Sequence, residues 1–124
     1  MNAVGKDILK EKSFRFAVMV AKLCLYLKKE GKEFILSKQL LRSGTAVGAL
    51  VRESKNAESK ADFMHKLGIA QKECDETLYW LELMEETKLV SQAEFESMNK
   101  DATELLKMIR SSIITAKKNL KNSQ

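Results

Sequence analysis

Apolar positions recur along this chain at steps of three and four residues in four separate blocks, and between the blocks the recurrence stops. A helix, advancing about 100° per residue, explains that spacing. From Phe63 the series Leu67, Ala70, Cys74, Thr77, Leu81 and Met84 alternates steps of four and three. This is the seam of an antiparallel bundle whose neighbouring helices cross at about 20°. A last block repeats it with Phe95, Met98, Ala102, Leu105, Ile109, Ser112 and Ala116, and the second block places Leu36, Leu40, Ser43, Val47, Leu50 and Ser54 in one arc. The first block is wider: Phe14, Val18, Ala21 and Leu25 form one stripe, while Phe16, Val20, Leu23 and Leu27 form another. A helix of a monomeric bundle needs one apolar face, so coverage on two sides predicts that copies of the chain associate.

These blocks predict helices over about 7–30, 34–55, 60–87 and 92–120 in a single domain spanning 1–124. Gly31 supplies the left-handed residue that commonly closes a helix, and Gly31-Lys32-Glu33 is the first connection. Asn56 to Ser59 is a polar turn, and Ser59 with Asp62 has the spacing of a capping box. Lys88 to Ser91 forms the next turn, and Lys121-Asn122-Ser123-Gln124 is expected to fray. Four helices on short connections run up-down-up-down. The fold class is therefore all-α, an antiparallel up-and-down four-helix bundle. Composition agrees: there is no proline, and 31% of the residues are charged, as in long helices.

The second block has two unlike flanks. Gly44 and Gly48 lie together on one, and each costs about 1 kcal/mol of helix stability relative to alanine, which points to a close neighbouring backbone. On the other flank lie Arg42 and Glu53, and the third helix carries a matching band of Asp62, Lys66, Glu73, Glu76 and Trp80. In an antiparallel hairpin Glu53 meets Lys66, and Arg42 meets Glu76 or Glu73. The six charged residues read as a structural ladder at the core edge that fixes pairing. Paired carboxylates also serve acid–base or metal chemistry, but di-metal bundles add Glu-x-x-His ligands, and the single histidine, His65, points to another side. Cys24 and Cys74 lie far apart at apolar helical positions and read as buried free thiols.

Charge changes the picture more than composition does. The net charge is +5, divided as +7 over residues 1–60, −6 over 61–99 and +4 over 100–124, so an acidic partner or self-association is expected. Arg15, Lys22 and Lys29 recur every seven residues along the first helix. On the last helix Lys107, Arg110, Lys117, Lys118 and Lys121 share, with Lys100, one arc of about 100°. Both stripes are candidate nucleic-acid-binding faces. Without an aromatic platform for stacking bases, they would contact phosphates with little sequence preference. There is no phosphate-cradling loop, nucleophile motif or ligand cluster, so no enzyme activity and no cofactor or metal is expected. The apolar run from Phe14 to Leu27 is broken by Arg15 and Lys22 and is shorter than the roughly 20 residues that span a bilayer. With no signal-peptide pattern at the start, a cytoplasmic protein without membrane contact is expected.

The run Gln39-Leu40-Leu41-Arg42-Ser43-Gly44-Thr45-Ala46-Val47-Gly48-Ala49, then Glu53, Ala61-Asp62-Phe63, Lys66-Leu67, Ile69-Ala70-Gln71-Lys72-Glu73 and Glu76-Thr77-Leu78-Tyr79-Trp80-Leu81 resembles the four-helix-bundle proteins encoded in intervening sequences of some bacterial 23S rRNA genes. The resemblance implies a left-handed bundle that assembles into a ring-like homo-oligomer, a pentamer in known members. A related branch, the accessory proteins of diversity-generating retroelements, implies RNA or DNA and a reverse transcriptase as partners. Leu50 departs from the family's asparagine and Ser54 from its alanine. The reading carried forward is a non-enzymatic homo-oligomeric scaffold that binds nucleic acid, RNA or an RNA–protein complex, through basic outer faces. The alternative is a protein-interaction adaptor with no nucleic-acid contact of its own.

Overall fold

Local chemistry at the ends of each apolar block sets where the helices start and stop. In the computed structural model, which describes residues 7–31 and 34–122, these are α1 (Ile8–Lys29), α2 (Ile35–Ser54), α3 (Lys60–Glu86) and α4 (Gln92–Asn122), with no strand among the described residues. The Asp7 carboxylate caps α1 by accepting from the Lys10 N–H at 3.0 Å, and Ser59 Oγ caps α3 by accepting from the Asp62 N–H at 3.0 Å. Each satisfies a backbone donor that the first turn leaves without a helical partner. Gly31 closes α1 with a φ of +64°; Lys32 and Glu33 of that connection, and Ser123 and Gln124 of the expected fraying tail, lie outside the described residues. Two boundary devices leave no mark in the apolar pattern. Ser91 and Glu94 cap α4 reciprocally, each side chain accepting from the other's backbone N–H at 3.1 and 3.0 Å. Lys88 takes a φ of +62° after α3, which turns the chain so that Val90 plugs the bundle end.

Contacts between elements order the helices as α1–α2–α3–α4 around the bundle, with α1 also touching α4. The registers are antiparallel: Gly48 lies on Ser13 and Gly44 on Val20, Glu53 reaches Lys66 while Arg42 reaches Glu73, and Lys12 meets Glu104. The α3 seam is buried from Leu67 through Met84. Along α2 the buried set is Ser37, Leu40, Ser43, Gly44, Val47, Val51 and Ser54, with Leu36 and Leu50 only half-buried. The seam thus turns toward α1 from the arc expected of the sequence. Closure of α1 on the glycines draws Gly44 and Val51 inward and rotates the two leucines out.

The buried serines fit this close approach because they are small and bond locally. Ser13 donates to the Lys10 carbonyl at 3.1 Å and Ser54 to that of Val51 at 2.6 Å, so neither leaves a polar group unsatisfied. Between α2 and α3 the Ser43 and Thr77 hydroxyls meet at 3.0 Å. The thiol of Cys24 donates to the Ser37 carbonyl and that of Cys74 to the Ala102 carbonyl. Burial pushes these thiols up to about 11 and about 12, so both stay protonated and unreactive at neutral pH.

Candidate nucleic-acid interface

Five cations of α4, Lys107, Arg110, Lys117, Lys118 and Lys121, are exposed, and no acidic residue follows Glu104 in the sequence. Lys12 lies opposite Glu104 and the helices are antiparallel, so α4 runs roughly three turns past the first described residue of α1. On this overhang Ser111, Ser112, Thr115 and Asn119 line a shallow groove with Phe63 of α3. Hydroxyl and amide donors therefore stand beside lysines, a mixture that serves phosphate oxygens.

The α1 stripe has a different setting. The Arg15 guanidinium pairs with Glu11 one turn away at 2.8 Å. It also lines a groove with Asp101 and Glu104 of α4. Lys22 borders a second α1–α4 groove that contains Glu94, and Lys29 is exposed in the last turn. Carboxylates thus interrupt the α1 stripe, while along α4 the last acidic residue is Glu104, which interacts with Lys107.

Between α2 and α3 the charges come together. Arg42 donates to Glu73 at 3.0 Å and also to Glu76, and Lys66 reaches Glu53 at 3.3 Å. The same Glu76 carboxylate accepts from Trp80 Nε1 at 2.9 Å. The Trp80 bond, and after it Arg42, holds Glu76 below its usual carboxylate range, and Glu76 and Glu73 in turn raise Arg42. Asp62 stands apart from the ladder: it accepts from the Glu58 N–H at 3.2 Å and belongs to the start of α3. The cluster is also more open than a core edge, with the Arg42 side chain 49% exposed and Glu73 21%. Among the described residues no group of three or more His, Cys, Asp or Glu is placed to hold a metal ion.

The other α2 flank meets α1. A Cβ at Gly48 would lie 3.1 Å from the Ser13 carbonyl oxygen, and one at Gly44 would lie 2.9 Å from a Val20 methyl. Of the two α1 stripes, Phe16, Val20, Leu23 and Leu27 are buried in the core, whereas Phe14 and Leu25 are 57% and 65% exposed and Val18 is open as well. Among the described residues the stripe of Phe14, Val18 and Leu25 thus stays largely open, with Ala21 of the same stripe half-buried. No helix among the described residues is long and apolar enough to cross a membrane.

A family model described as 23S rRNA-intervening sequence protein matches residues 6–111. Among solved structures, the chain is similar to a protein of unknown function from the S23 ribosomal protein family of Bacteroides thetaiotaomicron. The two share 50% identity and a TM-score of 0.83 over 85% of this chain and 97% of that one. No curated protein matches.

Proposed function

The chain belongs to the 23S rRNA-intervening sequence protein family, and from that premise we propose that it is a non-enzymatic, self-associating helical scaffold that binds nucleic acid. The observation that carries the reading is the far half of α4, where five exposed cations follow Glu104, the last acidic residue in the sequence, beside a row of hydroxyl donors. Each phosphate neutralised there releases condensed counterions, so binding is driven by salt release and reads little sequence. Arg15, Lys22 and Lys29 add a weaker face, because Glu11, Asp101, Glu104 and Glu94 lie close to the first two. Self-association is supported by the uncovered apolar stripe of α1, and a ring, five-fold by family resemblance, repeats the basic α4 face around its rim. RNA or an RNA–protein complex in the cytoplasm is the partner this reading favours. Kinship with retroelement accessory proteins would make a reverse transcriptase with its template the candidate complex.

Titration of labelled RNA, single-stranded DNA and duplex DNA across a salt series tests this. Binding should weaken steeply with salt. Reversing Lys107, Arg110 and Lys117 to glutamate should lower affinity and flatten the salt slope by roughly one for each phosphate left unneutralised, with helix content unchanged. Reversing Arg15, Lys22 and Lys29 should do less. No affinity for any of the three at low salt ends the nucleic-acid reading and leaves a protein-interaction adaptor in its place.

A further inference from the structure

Most of the large apolar side chains that this protomer leaves in solvent lie on α1 and the first half of α2. Phe14, Val18, Leu25, Phe34, Ile35 and Leu41 are among them, whereas α3 and α4 together contribute Tyr79 and Ile114 among the described residues. The concentration forms a surface. Between α1 and α2 a shallow groove of about 390 Å³ runs over the small side chains of Ala17, Thr45 and Ala49 and over Gly48, with Phe14 beside it. A second groove continues the line toward the other end between Leu25, Phe34 and Leu41, with Ser37 and Cys24 beneath. A furrow with a small-residue floor and apolar walls fits a helix.

The furrow also has a charge. At one end Arg52 sits over the Phe14 ring at 5.9 Å, and at the other Lys28 and Lys38 sit over the Phe34 ring at 5.5 and 6.0 Å. The cations are thereby held at the rim of the apolar surface. Glu53 also borders the first groove, but Lys66 engages it. An occupant should therefore be a helix with a modest apolar contact and carboxylates toward the Lys28–Lys38 end.

This chain contains such a helix. The outward face of α3 carries His65, Gly68, Asp75, Tyr79, Glu82 and Glu86 within one arc, with Lys72 the one cation among them. Tyr79 is 56% exposed. Gly68 lies in mid-helix, and a Cβ built on it meets nothing within 4 Å. Nothing among the described residues requires a glycine there, although it costs about 1 kcal/mol relative to alanine.

The registers agree. The end of α1, the start of α2 and the end of α3 all lie at the same end of the bundle, as the antiparallel order requires. Side-by-side copies with parallel axes thus bring Glu82 and Glu86 level with Lys28 and Lys38, and Tyr79 level with Leu41. The α3 face also points away from the α1–α2 face, since α1 and α3 are diagonal in the bundle.

We infer that the α1–α2 furrow receives the outward face of α3 from a second copy of this chain, so that two different surfaces meet and each copy keeps one of each free for the next. Such a head-to-tail contact closes into a ring or continues as a filament. The inference rests on the self-association proposed above and adds which surfaces meet.

Sedimentation of two variants at micromolar concentration tests it, with helix content checked by circular dichroism. Phe14→Glu with Leu25→Glu disables the furrow, and Tyr79→Lys with Glu82→Lys disables the α3 face. Each alone should sediment as a folded 14.1 kDa monomer. Their equimolar mixture should form a heterodimer, because one intact furrow then meets one intact face. If the furrow variant misfolds, Lys28→Glu with Lys38→Glu replaces it: it should weaken assembly, and adding Glu82→Lys with Glu86→Lys should restore it. An α3 variant that assembles like the wild type overturns the inference while leaving self-association standing. A mixture that stays monomeric also overturns it, since an intact furrow would then have failed to take an intact α3 face. A wild-type monomer removes the self-association reading and this inference with it.

Discussion

The two flanks of α2 hold their neighbours by opposite means. Toward α1, contact is made by leaving side chains out: Gly44 and Gly48 let Val20 and the Ser13 backbone lie where a Cβ would otherwise stand. Toward α3, contact is made by long charged side chains, Arg42 to Glu73 and Glu76, and Glu53 to Lys66. The first depends on short-range repulsion, which is steep and indifferent to salt. The second depends on charge at a half-open surface, where solvent screens it and the net gain is small. The glycine flank therefore sets how closely the helices pack, and the charged flank sets which register they choose.

The largest effect should come from filling the glycine flank. Gly48→Leu inserts a side chain where the Ser13 carbonyl already stands 3.1 Å from the Cβ position, and α1 must move as a backbone for it to fit. The gain in helix propensity, about 1 kcal/mol, offsets part of the overpacking. A net loss of about 1 to 2 kcal/mol is expected, read from the urea midpoint. An unchanged midpoint would mean that α1 and α2 do not close as described.

Opening the charged flank should cost less. Removing one partner of a buried ion pair destabilises by about 3–5 kcal/mol, but the Arg42 side chain is 49% exposed, so Arg42→Ala is expected to cost about 1 kcal/mol. Double-mutant cycles with Glu73→Ala and Glu76→Ala should each show coupling to Arg42 that shrinks in high salt. Coupling to only one glutamate would reduce the fork to a single pair, and coupling to neither would remove the charged flank from the comparison.

How much of this was legible depends on what the sequence displays at each position. The α3 seam was readable because residues from Leu67 to Met84 repeat at one period with nothing competing for the core. On α2 hydropathy favours Leu36 and Leu50, while geometry buries Ser37, Gly44 and Val51; close approach selects for smallness, which a hydropathy pattern does not register. The ladder was readable as complementary charge, but register alone offered Glu73 or Glu76, and the guanidinium fork reaches both. Asp62 shares the ladder's face and yet serves the start of α3, because amide donors at a helix start compete for a carboxylate. The left-handed Lys88 had no signal, since lysine is not a residue that marks such a turn. The two basic stripes look alike as periodic cations and differ in structure because Glu11 of α1 pairs with Arg15 and α4 places Asp101, Glu104 and Glu94 beside α1.

The smallest effect, and the sharpest separation of the two flanks, is in their response to acid. Trp80 Nε1, and then Arg42, holds the Glu76 carboxyl below its usual value in the folded protein. A carboxylate whose pKa is lower folded than unfolded binds fewer protons in the folded state, so it contributes stability above the unfolded pKa of about 4.3. That contribution falls away as pH drops through about 4.3 toward the folded value. Glu76→Gln keeps an acceptor for the Trp80 N–H and removes the charge, which isolates this contribution. Wild type should therefore be the more stable at pH 7 by a small margin, and the margin should shrink as pH falls below about 4.3. The loss caused by Gly48→Leu arises from a clash with a backbone carbonyl and should stay nearly constant over the same range. A Glu76→Gln margin that does not change between pH 7 and pH 3 would show that the carboxylate's charge contributes nothing at α2–α3, leaving hydrogen-bond geometry alone to hold the register there.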